Sequence, residues 1–438
     1  MATVRAEPDG LRVELTGRES WSAFRRTDLT APWAHVEGVE AVAEPYRLVH
    51  GLRAPGLSIP GRTKIGTWRS AGRKTFAVTH RGRAGVRIRL RNNTYQQLLI
   101  DVDTPTETVE LLRNRIGAPA HVGNGTERTI DFPSGPVTLA GTATIPGAPR
   151  AAAVLISGSG DIDRDGNGRR APLGISRDIA DALAAADIAS LRYDKRGVGA
   201  SGGDFLSSGF ADNIDDARAA ISALRSQAET AGIPMVVIGH SEGAMIATVL
   251  AGESANQLAG AVLLSAPAGT GEEVMLWQAD RIAPTLPKPV RFIMRMFRTD
   301  PLRQQGKLLE RLKLTSTDVV RIQGARINAK WFRELLDFDA EQHLALISAP
   351  VLAITGTKDL QVDPDDLEVI SSTVLGPVTV DLVPDLTHIL RRDNAPPTLG
   401  AYRRLCRQPV DHVVLQEISD WILTVSGKAD DRRDSAES

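Results

Sequence analysis

The chain has 438 residues, 42% of them apolar, and a formal net charge of −1. That is long enough for two or three domains with a sizeable core, and it lacks the basic excess expected of a nucleic-acid-binding protein. A single cysteine, Cys406, excludes an internal disulfide and suits a reducing compartment. The N-terminus MATVRAEPDG has no apolar stretch of a signal peptide, and no run of about 18 apolar residues offers a membrane span. The expectation is a cytoplasmic protein.

Between Pro45 and Ile100 there is no Asp or Glu but there are twelve Lys or Arg. KTFAVTH and GVRIRLRNN alternate apolar and basic positions there, as strands do. In TPTETVELLRNRIG, Thr104 or Thr106 suits a helix cap, Pro105 a first turn and Gly117 a stop. Short strands closed by one helix predict a small mainly-β domain over residues 1–117. In pattern and order it resembles a bacterial pleckstrin-homology-like domain. Such a basic stretch, with Trp68 and Phe76 interleaved, also admits a lipid- or anion-binding scaffold and weak membrane-surface contact. The simpler reading has the basic side chains facing water.

TERTIDF and VTLAGTATI read as a hairpin. From Ala151 apolar strands alternate with helices: AAAVLIS, a helix near 174–187, IASLRYD, a helix near 210–229, MVVIGH, a helix from 241, and GAVLLSAP. After an interruption follow APVLAITG, a helix near 364–374, VTVDLVP and a helix near 411–425. This order predicts an α/β domain over 118–426 with a mostly parallel sheet and helices on both faces. Residues 269–343 break the rhythm and read as a helical lid. The charged stretch 427–438 reads as a disordered tail.

Gly239-His240-Ser241-Glu242-Gly243 follows an apolar strand and opens an Ala-rich helix. In that context G-x-S-x-G places a serine on a tight turn, its hydroxyl raised above the sheet, with a helix N-terminus behind it. The alternative is a glycine-flanked helix cap. A serine hydroxyl needs a base to become a nucleophile. Of the eight histidines, His388 alone lies in the loop directly after the last strand, DLTHILRRD, whereas His412 faces the last helix. Asp359, in the turn after VLAITG, is the carboxylate placed to orient it, whereas Asp363 precedes Pro364 and suits a cap. The oxyanion donors would be the backbone N–H groups of Glu242 and of Ser159 in the glycine-rich loop SGSG.

Read from Asp161, DIDRDGN imitates the start of a calcium-binding EF-hand loop. Position 12 is Pro172, which has no side-chain oxygen, and a strand precedes the run where that motif needs a helix. The aspartates are read instead as loop scaffolding, with Arg164 pairing one of them.

GSGDIDRDG, LRYDKRGVGASGGDF, GHSEGA, AKWFRELLDFD, PVLAITGTKDLQV and VPDLTHIL, in this order, resemble the α/β-hydrolase superfamily. The likeness is to its bacterial carboxylesterase and serine-aminopeptidase-like members, over about residues 125–425. The resemblance implies Ser241 as nucleophile, Asp359 as acid, His388 as base, no cofactor or metal, and Asp194 and Arg196 as a loop-bracing pair. Asp161-Ile162 stands where the family often has Pro-Gln, and Thr387 where Asn is common. Trp277, Met294, Trp331 and Phe332 of the insert are candidates for an acyl pocket, with ordinary helix packing as the alternative. The function expected is hydrolysis of a small-molecule carboxylic ester, with a thioester, amide or peptide as the alternative substrate.

Overall fold

A computed structural model of the chain describes residues 2–7, 10–23, 28–70, 73–90, 94–113, 125–168, 171–286, 300–322 and 324–437. The chain divides into two compact units, Met1–His121 and Val122–Ser438.

In the first unit Thr3–Glu7 (β1), Gly10–Glu14 (β2) and Leu29–Pro32 (β3) form an antiparallel sheet. Helix Gly17–Ser22 (α1) starts from a Thr16–Glu19 capping box, each residue bonding the other's backbone N–H. Val36–Val42 (β4), Leu52–Ile59 (β5), Thr63–Ser70 (β6), Arg73–His80 (β7), Gly85–Leu90 (β8) and Gln97–Asp101 (β9) form a six-stranded sheet in the order β4-β8-β9-β7-β6-β5. β7 and β9 pair in parallel; the other neighbours are antiparallel. Helix Pro105–Arg113 (α2) adds Val109 and Leu112 to the larger apolar cluster, which includes Phe76, Val78, Ile88 and Ile100. Trp68 packs on Ala77 and Leu99 in a smaller one. Trp68 and Phe76 are therefore buried and are not available to a headgroup or base. β7 is covered on both faces, so its alternation with basic residues does not mark one wet face.

The second unit opens with the hairpin Gly125–Ser134 (β10) and Val137–Pro146 (β11). Then come Ala151–Ile156 (β12), helix Ile175–Ala185 (α3), Ile188–Tyr193 (β13), helix Phe210–Arg225 (α4), Met235–His240 (β14), helix Glu242–Gly252 (α5) and Gly260–Leu264 (β15). The insert holds helices Gly271–Ile282 (α6) and Pro301–Lys313 (α7), strands Val319–Ile322 (β16) and Ala325–Asn328 (β17), and helices Ala329–Leu336 (α8) and Ala340–Leu344 (α9). It is thus not wholly helical. β16 and β17 pair as an antiparallel hairpin, where β-branched Val319, Val320, Ile322 and Ile327 favour extended backbone. Val351–Gly356 (β18), helix Asp366–Thr373 (α10), Val378–Val383 (β19), and helices Tyr402–Leu405 (α11) and His412–Glu437 (α12) complete the unit. α12 continues through the stretch expected as a disordered tail, whose Ala, Lys, Arg and Glu residues are good helix formers.

The main sheet runs β10-β11-β13-β12-β14-β15-β18-β19, and every pairing from β13 to β19 is parallel. Its central strands are buried on both faces, which is why they read as unbroken apolar runs. Val154 and Val237 pack with α4, α5 and α10 on one face. Leu155 and Ile238 pack with α3 and α12 on the other. From β12 the chain crosses first to β13 on one side and then to β14 on the other. The loops after β12 and β14 therefore diverge, leaving a crevice at their carboxyl ends where open α/β sheets place their sites.

The acidic loop after β12 is tied down by arginines. Arg192 of β13, almost fully buried, donates to Asp165 Oδ1 (2.9 Å), Glu127 Oε1 (2.6 Å) and Thr144 Oγ1 (2.9 Å). Burial pushes the Asp165 carboxyl up, but Arg192 and its neighbours Arg177 and Arg164 bring it below its ordinary value. Asp163 Oδ1 accepts the N–H groups of Asp165 and Asn167. Arg164 pairs not with a neighbour in the loop but with Asp194 (2.7 Å), and also donates to Gly141 O. Removing one member of such a buried charge set strands the others. Arg192→Met is expected to lower the unfolding free energy by about 3–5 kcal/mol in urea denaturation; a loss within error of zero would refute this bracing role.

Candidate active site

Ser241 stands between β14 and α5 with φ 57° and ψ −120°, a conformation uncommon for a residue with a side chain. The turn is tight because its flanks are glycine. A Cβ on Gly239 would lie 2.0 Å from Gly243 O, and one on Gly243 would lie 2.1 Å from Ile156 O. The Ser241 N–H donates to Leu264 O (2.9 Å), so β15 holds the turn from the far side. The first N–H groups of a helix lack intrahelical acceptors. Among the described residues, none accepts from the Glu242 N–H.

The loop after β12 abuts this turn. A Cβ on Gly158 would meet Ser241 Cβ and His240 O, each at 3.3 Å. The next N–H, that of Ser159, also has no acceptor among the described residues. The two N–H groups singled out in the sequence thus belong to segments in contact.

Asp359 lies in the turn after β18, where its own N–H donates to Gly356 O. Its Oδ1 accepts the N–H groups of Gln361 (2.7 Å) and Val362 (3.0 Å). His388 lies in the loop after β19, and its Nδ1 is 3.0 and 2.9 Å from Asp359 Oδ1 and Oδ2. Burial works to raise the Asp359 carboxyl, but the His388 ring and the two amides hold it below the ordinary carboxylate range. A charged carboxylate accepts only, so His388 Nδ1 is the donor in this contact. Thr387, where the family commonly has Asn, closes the loop: its hydroxyl donates to Arg391 O (2.8 Å).

His240, the neighbour of Ser241, has its ring engaged elsewhere. Its Nε2 is 2.8 Å from His388 O, with the two rings 4.9 Å apart. A carbonyl accepts only, so His240 Nε2 donates. Burial, with the neighbouring His388 ring, holds His240 down at about 3, so the imidazole is neutral. The Ser241 turn and the His388 loop are thereby joined. Among the described residues no hydrogen bond links the Ser241 hydroxyl to His388.

Beside the turn lies a cavity of about 190 Å³ lined by Gly160, Lys195, Phe205, Leu206, Asn213, Glu242, Asn328, Trp331 and Phe332, among others. Trp331 and Phe332 were expected there. Trp277 is not among its walls: half-buried on α6, it stacks under Arg281 at 5.1 Å. Met294 lies outside the described residues. Lys195, Asn213 and Asn328 went unnoticed in the sequence, since nothing in their local pattern shows that α4 and the β17–α8 junction face Glu242. Asp194 and Arg196 do brace loops, but not each other. Asp194 holds Arg164 and the Ala200 N–H, while Arg196 holds Asp216 and Asp212. Among the described residues no group of His, Cys, Asp and Glu is arranged to hold a metal ion, and no helix is long and apolar enough to cross a membrane.

A family model described as serine aminopeptidase, S33 (Hydrolase_4) matches residues 167–394, which include Ser241, Asp359 and His388. Esterase EstD of Thermotoga maritima is 28% identical over 290 residues, covering 65% of this chain and 65% of its own length. Among solved structures, Est1E of Butyrivibrio proteoclasticus with bound ferulic acid aligns over 67% of this chain and 98% of its own (15% identity, TM-score 0.46). A proline iminopeptidase of Mycobacterium smegmatis aligns over 69% and 100% (14%, 0.48). With a main sheet of α/β-hydrolase form and a family match over more than half of its length, the chain belongs to the serine aminopeptidase S33 family of α/β-hydrolases.

Proposed function

We propose that the second unit hydrolyses carboxylic esters through an acyl-enzyme on Ser241. The observation that carries this reading is the Asp359–His388 pair, joined through His240 to a serine on a strained strand-to-helix turn. His388 Nε2 takes the hydroxyl proton as Ser241 Oγ attacks the ester carbonyl, and Asp359 stabilises the imidazolium that forms. The N–H groups of Ser159 and Glu242 receive the oxyanion, assisted by the N-terminus of α5. His388 then returns the proton to the leaving alcohol. Water, activated by the same ring, releases the acid. His240 acts as a positioning residue, fixing the backbone of His388 without joining the proton transfer.

Ester rather than peptide substrates are favoured by two observations. The relative matched over 290 residues is named an esterase. The cavity carboxylate, Glu242, is engaged by Lys195 (3.3 Å) and Asn213 (2.8 Å), so it does not stand as a free anion for a substrate α-ammonium.

A fluorophosphonate probe is expected to label the wild type and not Ser241→Ala. On p-nitrophenyl esters, Ser241→Ala and His388→Ala are expected to lose roughly 10⁶-fold in kcat, and Asp359→Asn roughly 10⁴-fold. Full activity in His388→Ala would remove the proposed base. Gly158→Ala places its methyl 3.3 Å from Ser241 Cβ, pushing the oxyanion loop outward. A drop in kcat on the order of tenfold with unchanged thermal stability is expected, and unchanged kcat would place the oxyanion donors elsewhere.

A further inference from the structure

The Lys195–Glu242 pair is more than packing beneath the nucleophile turn. Both side chains are at least nine-tenths buried, and both line the cavity. Their hydrogen bonding is incomplete. Among the described residues the ammonium reaches only Glu242 Oε1, at 3.3 Å, although it has three N–H donors. Glu242 Oε1 also accepts from Asn213 Nδ2, while Oε2 is a buried atom with no partner among the described residues. Buried polar groups are normally satisfied. One wall of the cavity therefore carries an ion pair, Lys195 with the residue that follows Ser241, whose ammonium has donors to spare, while Phe205, Leu206, Trp331 and Phe332 supply apolar walls.

We infer that this cavity receives a compact, neutral, hydroxyl-bearing arm of the ester, whose hydroxyl accepts from Lys195 Nζ and donates to Glu242. The inference rests on the ester-hydrolase reading and names its substrate class. Size fits: about 150 Å³ of apolar cavity accommodates a benzene ring, so 190 Å³ takes a ring with one polar substituent. Charge selects the same class. The paired wall carries no net charge, so a carboxylate arm gains Lys195 only while meeting Glu242, and an ammonium arm gains Glu242 only while meeting Lys195. An arm without a polar end would leave both groups uncompensated.

The test uses the full chain and two matched series: p-nitrophenyl esters of phenylacetic acid, and acetate esters of 2-phenylethanol. Each carries hydroxyl, methyl, carboxylate or aminomethyl at the para position. In at least one series the hydroxyl member is expected to exceed the methyl member in kcat/KM by about tenfold or more, with both charged members poorer still. In the double variant Lys195→Met with Glu242→Leu, that ratio is expected to fall to near one. Ester turnover without hydroxyl preference in either series would overturn the inference and leave the hydrolase reading standing. So would preference for a charged member. No turnover of any ester would overturn the reading beneath it. The wild-type ratios decide the matter even if the double variant does not fold.

Discussion

The site depends on one close approach, that of the β14–α5 turn against the end of β12. Gly243 passes so near Ile156 O that no side chain fits between them. The parallel β12–β14 pairing brings the two strand ends together in register, and the glycines allow the turn to fold back over them. As a result Ser241 is raised on a left-handed backbone, and the loop carrying Gly158 and Ser159 is held against it. A methyl group at Gly239 or Gly243 would displace the turn that carries Ser241.

Around that turn, buried charge is placed where partners fix its state. Asp359 is dry yet ionised, because His388 and two backbone amides offset the cost of burial. His240, equally dry, has a carbonyl as its hydrogen-bond partner and a second imidazole beside it, so it stays neutral and serves as a tether. The two histidines are neighbours in space but answer to opposite surroundings. Arg192 and Arg164 extend the pattern outward, fixing the loop after β12 through Asp165 and Asp194. The run that imitates a calcium loop is thus an arginine-braced one.

Much of this was legible in the chain. Unbroken apolar strands alternating with helices announce a parallel sheet covered on both faces, since both sides of each strand must be apolar. G-x-S-x-G after a strand announces the turn, because only glycine tolerates the crowding there. Asp359 and His388 follow from their places after the last two strands. The insert was less legible. Its short hairpin, β16–β17, is too brief to establish a period-two pattern, and Trp277 is indistinguishable in sequence from the aromatics that do reach the cavity.

What the sequence alone determined is local: which segments extend, which coil, where the backbone must turn sharply, and which residue types sit at strand ends. What tertiary structure decided is partnership across long separations. Arg164 chose Asp194 over the aspartates beside it, His240 met the carbonyl of His388, and Lys195 and Asn213 converged on Glu242. The reason is physical: periodicity and turn chemistry act over a few residues, whereas a buried hydrogen bond is fixed by which distant strands the sheet order brings side by side.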